Sequence, residues 1–177
     1  MNSKLNNMID LLPFEIHITV DMSDDIFNID TFKKMCDEIE VKPIVIELEI
    51  NKDSCMKDIM TSSKHYGTMK SSKIESERIS NYLSDNGFKV LRKKIETVPW
   101  HYLAPKDEVE NIPHNLYFES HIGVPILPTE KDKLNKVVDK INSNQFNGIS
   151  KLSRNFLKKS KDGKLKYDNL SIIQRRK

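Results

Sequence analysis

Apolar and polar residues alternate without a break through Phe14-Glu15-Ile16-His17-Ile18-Thr19-Val20. A period of two carried by aromatic and β-branched residues predicts a strand. Successive strand side chains point to opposite faces, so Phe14, Ile16, Ile18 and Val20 line one face and Glu15, His17 and Thr19 the other. Helical spacing takes over at Ile29, Phe32, Met35, Cys36 and Ile39, predicting an amphipathic helix capped at Asp30 and ended before Pro43. Residues 43–50 return to period two, with Ile44, Ile46, Leu48 and Ile50 as the apolar row and Glu47 and Glu49 opposite them. Residues 51–70 keep neither period and read as a long connection. A second helix is expected to begin at Ser71 or Ser72, bury Ile79, Tyr82 and Leu83, and stop at Asn86-Gly87. Residues 88–97 form a third strand, with Leu91 and Ile95 on one face and Arg92, Lys94 and Glu96 on the other.

A loop rich in proline and acids follows, and then the first pattern returns. Phe118-Glu119-Ser120-His121-Ile122-Gly123-Val124 repeats the form Phe-Glu-x-His-Ile-x-Val 104 residues after its first appearance. Phe118, Ile122 and Val124 should oppose Glu119 and His121. Thr129-Glu130-Lys131-Asp132 reads as an approximate capping box for a helix with Leu134, Val137, Val138 and Ile141 on its apolar face. A short strand around residues 149–152, a turn at Asp162-Gly163 and a last strand over 170–174 complete the chain. The order β-α-β-α-β followed by β-α-β-β predicts an α+β protein. We expect duplicated ferredoxin-like β-α-β units, an antiparallel or mixed sheet with helices on one face and an open polar face on the other. The two pseudo-repeated lobes, about 13–98 and 116–177, form a single domain with a junction loop at 99–115.

Composition fits a globular chain of 177 residues, with 37% hydrophobic and 31% charged residues. No apolar run approaches the ~18 residues of a membrane span. Residues 1–12 carry amide and acidic side chains where a signal peptide is apolar, so we expect a cytoplasmic protein without a membrane partner. Cys36 and Cys55 have no metal-type spacing and read as reduced thiols. The net charge of +3 conceals an asymmetry, because residues 151–177 hold ten Lys/Arg against two Asp. Such a segment suits contact with phosphate or RNA; a solvated lysine-rich tail has the same composition. Nothing in the sequence indicates an oligomeric state.

An exposed sheet face is normally polar, but histidine at matched positions of two repeats is unusual. If His17 and His121 face one pocket, one imidazole can take a proton while the other gives one to a leaving oxygen. That chemistry suits a phosphate ester and needs no cofactor. Thr19 would bond a phosphate oxygen, and Arg92, Lys94 or Arg154 would balance its charge.

His17-Ile18-Thr19-Val20 resembles the His-x-Thr/Ser-hydrophobic motif of the two-histidine phosphoesterase superfamily, which includes RNA cyclic phosphodiesterases. That superfamily carries its motif twice, on two ferredoxin-like lobes, and is metal-independent. The resemblance implies a phosphodiesterase acting on RNA ends or small nucleotides, with His17 and His121 as the acid/base pair and Thr19 as a phosphate ligand. The second copy departs from it: His121-Ile122-Gly123-Val124 has glycine in place of the hydroxyl residue. Met60-Thr61-Ser62-Ser63, Lys94-Ile95-Glu96, the segment around Glu119 and His121, and Leu152-Ser153-Arg154-Asn155 also look like a family of proteins of uncharacterised activity.

Two rival readings remain. Two histidines with Glu15, Glu96 or Glu119 would make a His₂-carboxylate site for Zn²⁺, Fe²⁺ or Mn²⁺, with His17, His121 and Glu119 as one such set. The vicinal-oxygen-chelate fold pairs histidines in this way, and the opening strand is loosely similar to it. Alternatively the chain is a non-catalytic module that holds RNA or another polyanion. Among the remaining polar groups, Ser62, Ser63 and His65 could bind an anion from a loop. Ser153, Arg154 and Asn155 could clamp a phosphate. Trp100 and His101 could stack a base or cover a core edge.

Overall fold

The computed structural model describes residues 12–22, 29–51, 54–104, 116–143, 148–155 and 165–174. It is a mixed α+β structure with all described strand pairings antiparallel. Two compact units share the chain: Met1–Ile44 with Asp58–Ala104, and Val45–Lys57 with Pro105–Lys177. The expected lobe boundary at 99–115 is thus joined by a second crossing, because the segment 45–57 belongs with the second unit.

In the first unit, β1 (Pro13–Asp21) lies between β3 (Ser54–Tyr66, from Asp58 on) and β4 (Lys89–Glu96). Helix α1 spans Ile29–Glu38 and α2 spans Met69–Asp85. The apolar row behaves as its alternation dictates: Phe14, Ile16, Ile18 and Val20 are buried with Phe32 and Cys36 of α1 and Ile79 and Leu83 of α2. Phe32 meets Phe88 edge to face, with ring centroids 5.6 Å apart. Burying these side chains is the main source of stability, roughly 1.5–3 kcal/mol for each large one.

The long connection expected over 51–70 is corrected by β3, a 13-residue strand. Its Ser, Lys and Asp residues conceal the period of two. What makes it a strand is its pairing with β1, from Pro13↔Tyr66 to Val20↔Ile59. Helix α2 begins before the expected serines. Thr68 caps it, its hydroxyl accepting from the Ser71 amide, while the Ser71 hydroxyl accepts from the Thr68 amide. Its stop is the expected one: Gly87 has φ +89°, and the Gly87 and Phe88 amides donate back to Ser84 and Leu83 carbonyls.

A bulge changes the faces of β4. Thr19 pairs with Arg92 but Val20 with Val90, so Leu91 is the extra residue and is 56% exposed rather than part of the apolar row. The polar face of β1 is also not open at its centre, since His17 and Thr19 are 8% and 5% exposed.

In the second unit, β2 (Lys42–Asn51, from Val45 on), β6 (Gly148–Asn155), β7 (Leu165–Gln174) and β5 (Phe118–Ile126) pair in that order. Among the described side chains of β2 Val45 is fully buried, while Ile46 and Leu48 of the expected row are half-buried. Helix α3 (Lys131–Ser143) packs Leu134 and Val138 against Ile126 and Leu152. A 3₁₀ turn over Pro128–Glu130 leads into it, and the Glu130 carboxylate accepts from the Leu127 amide. The back-bonding acid is therefore Glu130, not Asp132. Asn142 clamps the main chain of Ser150 with two hydrogen bonds, 2.8 and 3.0 Å. The Asp162-Gly163 turn lies outside the described residues.

Candidate functional site around His17

Strand pairing collects one group of polar residues on the first unit. Residues directly opposite each other in an antiparallel pair share a face. Glu96 stands opposite Glu15, Lys94 opposite His17 and Arg92 opposite Thr19, so the face predicted from alternation is assembled across β1 and β4.

On the other side, the β1–β3 ladder runs regularly to Ile16↔Ser63 and resumes at Thr19↔Met60 in the same register. Between these points side chains replace the usual main-chain exchange. The His17 Nδ1 lies 3.0 Å from the Thr61 carbonyl oxygen, and the Ile18 amide donates to the Thr61 hydroxyl at 3.1 Å. A carbonyl only accepts, so Nδ1 carries the hydrogen and Nε2 is the ring nitrogen left for other chemistry. Thr61 is fully buried, which makes this arrangement costly to lose.

Nε2 faces two carboxylates, with Glu96 Oε2 at 3.5 Å and Glu15 Oε1 at 3.6 Å. Each carboxylate has its own support. The Ser62 hydroxyl donates to Glu15 Oε1 at 2.8 Å, and the Lys94 ammonium pairs with Glu96 Oε1. Burial alone would push the Glu96 carboxyl up, but the His17 ring, when Nε2 carries a proton, and Lys94 outweigh it and hold the group down at about 2. One ligand-type atom from each of Glu15, His17 and Glu96 lies within 4.8 Å of the others, a set able to hold a metal ion.

One step along β1, the Arg92 guanidinium donates to the Thr19 hydroxyl at 3.3 Å and to Asp58 at 3.1 Å. Because 54–66 is a strand, Ser62 and Ser63 do not form one anion loop. Ser62 shares the face of His17, whereas Ser63 pairs with Ile16 on the apolar side. His65 also leaves that face: its Nε2 is 2.8 Å from the Ser71 hydroxyl at the start of α2.

The second copy of the repeat has a different environment. His121 lies on β5 of the second unit, its side chain 43% exposed and its Nε2 3.5 Å from Glu119. The β5–β7 register shifts around Gly123, and Ile122, expected inside, is 47% exposed. The bulge beside Thr19 occupies the same position of the repeat, so both copies break their ladder there but only the first buries its histidine. Ser153 is buried on β6, and Arg154 and Asn155 stand opposite Glu47 and Ile46 in the β2–β6 register. Lys158, Lys159 and Lys161 lie outside the described residues. His101 is a packing group: its ring meets Phe14 edge to face at 5.0 Å, and its Nδ1 accepts from the Leu103 amide. Trp100 beside it is exposed.

Comparison with protein-family models, curated proteins and solved structures finds no match to this chain. No described helix is long and apolar enough to cross a membrane.

Thr61 is the residue that sequence reasoning missed. With residues 51–70 read as a connection, nothing assigned Thr61 to a position beside His17. Glu15 and Glu96 were visible as metal-ligand candidates, but their meeting at one nitrogen follows from the β1–β4 register alone.

Proposed function

We propose that the chain is a phosphoesterase acting on RNA ends or small nucleotides, with its reactive centre on the His17 face. The observation that carries this reading is the Nδ1 contact with Thr61, which fixes the ring and presents Nε2 beside a run of charged groups. Orientation of a histidine through its other nitrogen is what acid/base and ligand roles both require. In hydrolysis, Nε2 would take a proton from the attacking water as its oxygen adds to phosphorus, the ester P–O bond breaks, and the departing oxygen takes that proton from the ring. In this reading Lys94, opposite His17, and Arg92, on the Thr19 hydroxyl, would meet a phosphoryl oxygen by exchanging their present carboxylate partners, Glu96 and Asp58.

The motif resemblance supports the same class and implies a role for His121, which lies on the second unit. The element order β1-α1-β2-β3-α2-β4 also suits a ferredoxin-like unit. The decisive experiment is turnover of a 2′,3′-cyclic nucleotide and of bis(p-nitrophenyl) phosphate by wild type, His17→Ala and His121→Ala. Turnover that persists in both variants removes the reading. Loss in His17→Ala alone places the centre on the first unit without a second histidine.

Gly123 favours a second reading, a module that binds polyanions without catalysis, because the second motif lacks its hydroxyl. That reading expects salt-dependent RNA binding that survives loss of both histidines and fails when Lys158, Lys159 and Lys161 are replaced by Gln.

A further inference from the structure

We infer that Glu15, His17 Nε2 and Glu96 form a binding site for a divalent transition-metal cation, Zn²⁺ by donor type and spacing. The distances come first. An N–H···O hydrogen bond is about 2.7–3.2 Å long, and the 3.5 and 3.6 Å separations here exceed it. Two ligands at ~2.1 Å from a tetrahedral ion stand about 3.4 Å apart. The imidazole-to-carboxylate spacings therefore fit atoms arranged around an ion more closely than they fit direct hydrogen bonds.

The second observation is independent of the acids. The His17 side chain is nine-tenths buried, with 10% of its surface exposed, and it points Nε2 into the cluster. Its far nitrogen is engaged by the Thr61 carbonyl. Metal-bound histidines ordinarily show this pairing, which sets the tautomer and leaves the ligating nitrogen bare.

Both carboxylates have a second partner: the Ser62 hydroxyl donates to Glu15 Oε1, the oxygen that also faces Nε2 and keeps a further lone pair, and Lys94 pairs with Glu96. Lys94 takes Glu96 Oε1 and leaves Oε2 toward the histidine. Two carboxylates and one ammonium leave the cluster net negative, which favours a dication. Imidazole among the donors selects Zn²⁺ or its transition-metal neighbours over Mg²⁺ and Ca²⁺. Three protein ligands leave a further position for water or substrate, the arrangement of catalytic rather than structural zinc sites.

Cation binding stands on this geometry by itself; only its use rests on the phosphoesterase reading. An anionic phosphate approaching Nε2 directly would meet Glu15 and Glu96. A bound dication removes that conflict, and His17 then serves as a ligand, not as a proton carrier. This differs from the metal-free scheme implied by the motif.

The test uses the untagged, chelator-treated full chain titrated with Zn²⁺ by calorimetry. One ion per chain is expected, with affinity at least tenfold weaker in His17→Ala and in the double variant Glu15→Gln/Glu96→Gln. Ser62→Ala, which leaves all three ligands in place, should weaken it by about tenfold. Co²⁺ should give the intense visible absorption of a tetrahedral site in wild type and not in the double variant. Far-UV circular dichroism establishes that each variant is folded, and half-exposed Glu15 makes Glu15→Gln alone a usable fallback. Absence of saturable binding, or binding unchanged in the folded double variant, overturns the site. Zn²⁺ bound by a protein that cleaves no phosphate ester upholds the site and removes the phosphoesterase reading. Chelator-resistant hydrolysis by a protein that binds no Zn²⁺ does the reverse.

Discussion

The His17 ring and the Thr61 main chain are joined by a 3.0 Å contact across 44 residues of sequence, at the point where the β1–β3 ladder is interrupted. The Thr61 side chain completes the exchange by accepting the Ile18 amide. A buried strand pair gives up its regular main-chain bonding here, and the histidine ring is what takes the carbonyl.

Thr61→Val tests that exchange with little change of volume. The Ile18 amide would be buried without an acceptor, at a cost of about 1–3 kcal/mol. Urea denaturation should show a lower midpoint at unchanged slope, and Thr61→Ser should recover most of the loss. A Thr61→Val protein as stable as wild type would mean that the hydroxyl contributes nothing to the fold.

Gly67 sits at φ +152°, and a Cβ there would lie 2.6 Å from the Ser71 hydroxyl and 3.2 Å from His65 Nε2. Gly67→Ala should therefore strain the backbone and push apart the Thr68–Ser71 cap. The expected destabilisation is about 1–3 kcal/mol, read from thermal or urea unfolding. Helix α2 should lose amide protection at its first turn before the rest of the unit.

Burial pushes the Cys36 thiol up from 9.0 to about 12, with Asp37 adding to the shift. The folded chain keeps this proton while the unfolded chain releases it above pH 9. Its contribution to stability is full below pH 9 and is lost as pH rises toward 12. Wild type should lose stability over that window faster than Cys36→Ala. At pH 8 iodoacetamide should leave Cys36 unmodified in the native protein and label it in urea, as peptide mass spectrometry will report.

If the His17 face is the reactive centre, His17→Ala should lower kcat/KM for a cyclic nucleotide by roughly 10²–10⁴-fold. Arg92→Gln should act more on KM than on kcat, since Arg92 meets the Thr19 hydroxyl and not the His17 ring. An unchanged KM in Arg92→Gln would exclude it from substrate binding.

The sequence by itself determined the local elements. Period two marks β1 and β5, helical spacing marks α1, α2 and α3, and Asn86-Gly87 ends α2, because these depend on residues a few positions apart. It also determined that Glu15, His17 and Thr19 share a face. The tertiary structure alone decided what that face contains. β3 has no readable period and exists as a strand through its partner. The bulge that expels Leu91, the meeting of Glu15 with Glu96 across the ladder, and the exchange through Thr61 all depend on register between strands distant in the chain. The two copies of Phe-Glu-x-His-Ile-x-Val show the same division. Their alternation is alike except at Ser120, which stands where the first copy has Ile16, but burial and bonding differ throughout, because the neighbours of a strand are chosen by the fold and not by the strand.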